Sequence, residues 1–364
     1  MALENLSQKY SGFYAPKFEV VIEGKKLPLN VSKSIIDLTV EEKLDEGATF
    51  SITLYDDYDM KTEKFKWLDA DLFDVGNKVT IKIGYSSSLP TLMEGNITSL
   101  EPSFFAGETP TLSVRGQDLS YDYIKRKSPA RTFKEKSYSE IAQTIANEAK
   151  LLIEVDKTKK VEQPIHKDNN MSYFTFLEKL AGEVGYQFKI DGDTVYFKKP
   201  ADEEGEIMTL ELGKDIISFR PNLNTAQLYG EVEVRGHNPK DPTKPIIGRA
   251  KAGDERPQEK DKKTTGSQVV TKRHGSVKRV LSNVIVSSKD HANAVARAVL
   301  NKASDQYIGG DAEIIGIPEI RAGVCIEFLK MGKRFTGKYY VRSATHTVNN
   351  SGYRTRITVK RNAT

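Results

Sequence analysis

The sequence predicts a mainly β protein: two tube-like antiparallel β-barrels with a small α+β module inserted between them. Three observations carry this. Two stretches, one in each half, alternate apolar and polar residues with a period of two. The middle of the chain switches to helical spacing. And the two alternating stretches repeat one pattern of glycines. At 364 residues the chain is long enough for two or three domains, and it can bury most of its unfolded surface without disulfide or metal staples.

The first barrel is expected over residues 1–117. Phe50, Ile52 and Leu54 alternate with Ser51, Thr53 and Tyr55. Val79, Ile81 and Ile83 alternate with Lys78, Thr80 and Lys82, and Leu112 and Val114 with Ser113 and Arg115. Such a period gives a strand one buried and one wet face. Turn residues between the runs (Glu46-Gly47, Ser86 to Pro90, Ala106-Gly107) suit a meander.

Residues 118–200 read as the α+β module. Ser137 and Glu140 have capping-box spacing ahead of Ile141, Ala142, Ile145 and Ala149. A strand follows over 151–155. Phe174, Leu177, Ala181 and Val184 then share one helical face that stops at Gly185, and Asp191-Gly192 turns a hairpin.

The second barrel is expected from 201–236 together with 306–364, interrupted by 237–305. Within the interruption, 238–279 holds twelve Lys/Arg against five Asp/Glu. That is a net of +7 out of +5 for the whole chain, so the remainder sits near −2. Punctuated by Pro and Gly and poor in large apolar residues, the segment reads as a charged mobile loop. A helix over about 288–304 follows, with Ala292, Val295, Ala296 and Val299 at helical spacing. The balance of charge excludes a nucleic-acid-binding bulk. The loop lacks interleaved aromatics for base stacking, so nucleic acid is expected in transit at most.

The two β regions repeat. Gly76, then Val79 and Ile81, then Met93-Glu94-Gly95, then Gly107 with Leu112 and Val114, has a counterpart late in the chain. There Gly323 precedes Ile326 and Phe328, then Phe335-Thr336-Gly337, then Gly352 with Ile357 and Val359. A duplicated barrel is the reading, with Gly95 matched to Gly337 and Val114 to Val359.

The C-terminal third carries Gly316-x-Pro318, Gly323, Phe335-x-Gly337-x-Tyr339-x-Val341, His346 and Gly352-Tyr353-x-Thr355. The segments NMSYFTFLEKLAGEVGYQFKIDGDTVYFKKP and ISFRPNLNTAQLYGEVEVRG precede it. In this order these features resemble the late control protein D family of contractile-tailed phages, baseplate hubs related to the hub part of the type VI spike protein VgrG. The likeness covers most of 130–364. It implies a homotrimer of two-barrel chains in a virion tail baseplate or equivalent injection particle, assembled in the bacterial host cytoplasm. Such a hub joins a three-fold spike to a six-fold tail tube, templates tube assembly, and contacts the tube or its initiator and other baseplate proteins. The chain stops at Thr364 with neither an OB-like domain nor a β-helix needle, so the spike is expected to be a separate polypeptide.

No residue pattern points to chemistry. His166, His237, His274, His291 and His346 form no HExxH pair and no Cys/His cluster. Cys325 is alone, between Val324 and Ile326, as a small core hydrophobe would be. There is no P-loop, no GxGxxG and no G-x-S-x-G elbow. Catalytic, cofactor and metal sites are therefore expected to be absent, and the protein not to be an enzyme. The alternative is a peptidoglycan-binding or cell-wall-degrading tail-tip protein. RTFKEKSYSEIAQTIANEAKLLIEV faintly resembles a LysM repeat, whereas acidic pairs such as Glu41-Glu42 read as solvated surface. No stretch approaches the length of a membrane-spanning helix, and the N-terminus lacks a signal-peptide core.

Overall fold

The alternating strands of both halves pair into one thirteen-stranded sheet. A computed structural model describes every residue outside 1–9, 11, 12, 14, 45, 86–88, 127, 162, 238–242, 257–263, 285 and 287. Six early strands are β1 (Pro16–Ile22), β2 (Ile35–Lys43), β3 (Gly47–Tyr55), β4 (Lys78–Tyr85), β5 (Thr91–Ser103) and β6 (Thr111–Asp118). Their order in the sheet is β1-β4-β5-β6-β3-β2. On β3, Phe50, Ile52 and Leu54 are buried while Ser51 and Thr53 are half-buried, so the period read from the sequence is the period of burial.

After Asp118 the chain leaves the sheet. Helix α1 (Tyr138–Glu148) begins at Ser137, whose hydroxyl accepts from Glu140 N while Glu140 reaches back to the Ser137 amide. Helix α2 (Tyr173–Val184) is capped by Ser172 and ends at Gly185, which takes a left-handed φ of 69°. The two helices cover a sheet of β7 (Leu152–Val155), β8 (Gln187–Asp191) and β9 (Thr194–Lys198). Ile141, Ile145, Phe176, Leu177, Phe188 and Phe197 make this unit's own core.

Late strands rejoin the large sheet: β10 (Met208–Glu211) and β11 (Ile216–Leu223), then, after an excursion, β15 (Ile308–Ile315), β16 (Cys325–Leu329), β17 (Gly337–Asn349) and β18 (Gly352–Arg361). The excursion corrects two expectations. Residues 231–236 alternate as a strand should, but they form β12 (Glu231–Gly236) of a separate sheet with β13 (Ile246–Lys251) and β14 (Lys278–Val284). And 238–279 is not a loop throughout. Besides β13 and the start of β14 it contains helix α3 (Gly266–His274), which starts on a Thr265–Gln268 capping box; residues 238–242 and 257–263 lie outside the described ones. Small residues let this polar stretch fold. Helix α4 (Lys289–Ser304) lies on the sheet so closely that a Cβ on Gly248 would meet Ala292 backbone at 2.2 Å. Val232, Val234, Ala250, Val286, Ala292, Ala296 and Leu300 form the small core beneath.

The six late strands run β10-β16-β17-β18-β15-β11. Numbered by position along each half, both halves read 1-4-5-6-3-2. The halves differ in one pairing: β1 lies antiparallel to β4, whereas β10 lies parallel to β16.

Candidate assembly interface

The two halves correspond residue by residue. Gly76 and Gly323 have φ of 100° and 93°. The Gly76 amide donates to Ile97 O at 2.8 Å and the Gly323 amide to Val341 O at 2.9 Å. In return Ile97 N donates to Asn77 O and Val341 N to Val324 O, at 3.0 and 2.9 Å. Beyond this point β5 bulges between Ile97 and Ser99, and β17 between Val341 and Ser343. A second shared bulge lies between Ile35 and Asp37 of β2 and between Ile216 and Ser218 of β11. Bulges shift register and bend a strand, so two at matched places fix the alignment. They pair Ile97 with Val341 and Val114 with Ile357. The match expected from glycine spacing is therefore two residues out of register: Gly95 corresponds to Tyr339, and Gly337 to Met93. Glycine intervals locate turns, but the hairpin joining β5 to β6 is longer than the one joining β17 to β18, and counting across unequal loops slips the register.

Within the sheet, among the described residues, the halves are joined through one strand seam. The end of β17 pairs antiparallel with β2, from Ser343 opposite Lys43 to Asn349 opposite Asp37. Leu44 N donates to Arg342 O at 3.1 Å. That phase makes Glu42/Ala344, Val40/His346 and Leu38/Val348 the pairs that exchange both amide bonds. Leu38, Val40, Ala344 and His346 are fully buried there. Arg321 closes the end of the seam: it binds Glu42 of the early half, Leu92 O at 2.8 Å and Asp191 of the α+β module at 2.9 Å.

The equivalent strands on the far sides of the halves are uncovered. Residues 99–103 of β5 pair with β6 alone, and residues 218–223 of β11 pair with β15 alone, among the described residues. Leu100, Phe219, Pro221 and Leu223 are half-buried and Phe104 is 56 % exposed. Their seam counterparts are Ala344, Leu38, Val40, Glu42 and Val348, all buried. Each flank of the chain thus displays the counterpart of one seam strand without the other.

The structure does not bring the five histidines together. His346 sits in a saturated buried network: Tyr353 OH is 2.8 Å and Thr355 Oγ1 3.2 Å from Nδ1, and Ile320 O is 3.1 Å from Nε2. Burial, with Arg321 nearby, holds its pKa down to about 3. Gly316 lies against Tyr353, with no room for a Cβ. The motif residues Gly316, His346, Tyr353 and Thr355 therefore pack one end of the late half. His166 meets Thr132 at 2.9 Å on the surface, His237 and His274 are exposed, and His291 lies edge-on to Tyr138. Cys325 is 2 % exposed, and burial raises its thiol to about 11. Among the described residues no three His, Cys, Asp or Glu side chains are grouped to hold a metal. A cleft of about 640 Å³ separates α2 from α4; it carries Glu178 and Glu183 beside Lys179 and Lys302 on an apolar floor that includes Leu180 and Val295. Glu183 accepts from Tyr138 OH at 2.5 Å. No described helix is long and apolar enough to cross a membrane.

Sequence reasoning saw the duplication and missed the seam. The signal was present in the alternation of both strands, but which strand lies beside which is decided between the halves.

A family described as "Alg8 N-terminal domain" matches residues 14–350. The chain belongs to that family. Its description names no activity. No curated protein matches the chain. Among solved structures it is similar to the prophage MuSo2 43 kDa tail protein from Shewanella oneidensis, with a TM-score of 0.71 at 14% identity, covering 95% of this chain and 98% of that one. It is similar to the tail protein from Neisseria meningitidis MC58, with a TM-score of 0.69 at 13% identity and coverage of 96% and 97%. The E. coli c3393 protein, described as a type VI secretion component similar to the T4 tail proteins gp27 and gp5, aligns with a TM-score of 0.60 at 11% identity, over 95% of this chain and 77% of that one. The fold is the one these tail proteins share.

Proposed function

We propose that this chain is a non-enzymatic structural hub of a contractile phage tail baseplate or a related injection system. Three copies close a ring of six barrels that joins a three-fold spike to a six-fold tail tube and gives the tube its first template. One observation carries the reading: both halves have strand order 1-4-5-6-3-2 with bulges in matched places, and their single seam leaves its two complementary edges unpaired. A contact between unlike edges is heterologous, so it repeats until it closes a ring or runs on as a filament. Closure at three chains makes a three-fold object with six near-equivalent barrels, which matches both symmetries. The fold shared with phage tail proteins and the resemblance to the late control protein D family support the same role. In it the spike, the tube or its initiator, and other baseplate proteins are the partners, and the assembled particle is the location.

The correspondence gives the register of the second seam. Ser99 takes the place of Ser343 and Asn224 that of Lys43, so 99–105 of one copy run antiparallel to 224–218 of the next. Glu101 then faces Asn222 as Thr345 faces Glu41, a pair of the close, non-hydrogen-bonded kind whose Cα atoms lie about 4.5 Å apart, within disulfide reach. In the variant E101C/N222C, mild oxidation at high protein concentration should trap transient contacts as a covalently closed trimer on a non-reducing gel. The shifted pair E101C/R220C should not. Equal cross-linking by both, or by neither, counts against the ring.

A further inference from the structure

The two unpaired edges share a feature that the intact seam lacks. Each carries a proline inside its strand, Pro102 in β5 and Pro221 in β11. Asn224 N donates to Tyr307 O at 2.8 Å and Asp56 N to Pro110 O at 2.9 Å. These phases turn the amide groups of Gly310 away from Pro221 and those of Leu112 away from Pro102, so both proline nitrogens face the open edge. In the register set by the bulges the two prolines land opposite each other, where the intact seam has Val40 and His346 exchanging both of their amide bonds. Two prolines there can exchange none.

Resting on the ring reading above, we infer that Pro102 and Pro221 form a gate on ring closure: they hold the seam between copies too weak to close unaided, so the chain stays monomeric until a three-fold partner collects three copies. The flanking positions keep the seam able to form. Leu100/Leu223 and Phe104/Phe219 fall at positions that exchange both amide bonds, and the second pair sets two aromatic rings side by side. Phe219 already stacks edge-on to Phe328 at 4.8 Å, and Phe104 lies 4.9 Å from Phe65. The prolines thus remove the centre of a ladder whose ends are intact. In the lone chain they also keep both edges from pairing with stray strands.

The test is the oligomeric state of the purified full chain by sedimentation velocity across a concentration series. Each Pro→Ala change returns one amide bond per seam, so P102A/P221A returns six per ring. At a net five- to tenfold per bond, the concentration for half-assembly should fall by about a hundredfold or more. Each single variant should fall between the double variant and the wild type. The control P164A makes the same kind of change at an exposed proline of the α+β module, away from both edges, and should assemble as the wild type does. A wild type that is already a stable trimer on its own overturns the gate. So does a double variant that assembles no better than the wild type, or one that forms open-ended aggregates. Cross-linking of E101C/N222C is read separately: if it succeeds while the proline variants change nothing, the gate fails and the ring stands.

Discussion

Arg321 binds the three parts of the chain to one another, and its removal should be among the most damaging single changes. Its guanidinium touches Glu42, Leu92 O and Asp191, and Glu42 is only 4% exposed. In Arg321→Ala the Glu42 carboxylate keeps one weak donor, the Ala322 amide at 3.4 Å, and stays in a site from which water is largely excluded. Breaking a buried pair by deleting one partner costs about 3–5 kcal/mol, because the survivor remains desolvated. Arg321 is itself about one-fifth exposed, which argues for the lower end, near 3 kcal/mol. Urea unfolding at neutral pH should show this as a drop in midpoint with the slope unchanged. Removing both partners in R321M/E42L should recover most of the loss. A loss under about 1 kcal/mol in Arg321→Ala, or a double variant as unstable as the single, would refute the assignment of Arg321 as the staple.

Acid should unfold the protein through identifiable groups. His346 has a folded pKa below its unfolded value, so the unfolded chain binds the extra proton; stability is full above about pH 6.5 and falls towards pH 3, by several kcal/mol in all. His346→Gln should flatten a plot of stability against pH in that window, and an unchanged plot would exclude His346 as the cause. Glu233, buried among Lys278, Arg235 and Arg249, is held down to about 2 by their hydrogen bonds. Its contribution is present above about pH 4.5 and is lost as pH falls through 2, so in Glu233→Gln the inserted sheet should lose hydrogen-exchange protection at neutral pH. Gly248→Ala drives a methyl into the Ala292 backbone and should cost about 1–3 kcal/mol, as overpacking does; wild-type stability would place α4 further from the sheet. In zymography on peptidoglycan, with and without divalent metals, no lysis is expected, and lysis abolished by one Glu→Gln change would make the chain an enzyme. A glycan pull-down with the full chain should return nothing; specific retention lost on mutating the α1 region would favour the wall-binding alternative.

What could be read from the sequence was whatever local patterns decide. Phe50-Ile52-Leu54 announced a strand because burial alternates along it. Ser137 with Glu140, and Gly185, announced helix ends because capping acts within one turn. The charged excursion was misjudged for the converse reason. Gly248 and Ala292 look unremarkable in sequence, and only the closeness of α4 to β13 shows why small residues suffice for a core. The candidate interface was half legible. Repetition of glycines exposed the duplication, while its register depended on bulges at Thr98, Arg342, Ile36 and Ile217, which leave no pattern in composition. Pro102 and Pro221 were visible as residues, but their meaning appears only when two edges 119 positions apart are laid side by side.

The claim at the centre is that one chain supplies two equivalent barrels to a three-fold ring. End-on electron-microscope images of the assembled particle, collected on its spike or after E101C/N222C closure, address it directly. Three-fold symmetry is expected, with six similar lobes around one channel, two from each chain. A four-fold ring, a ring of six chains, or three chains whose two barrels do not share one axis would contradict it.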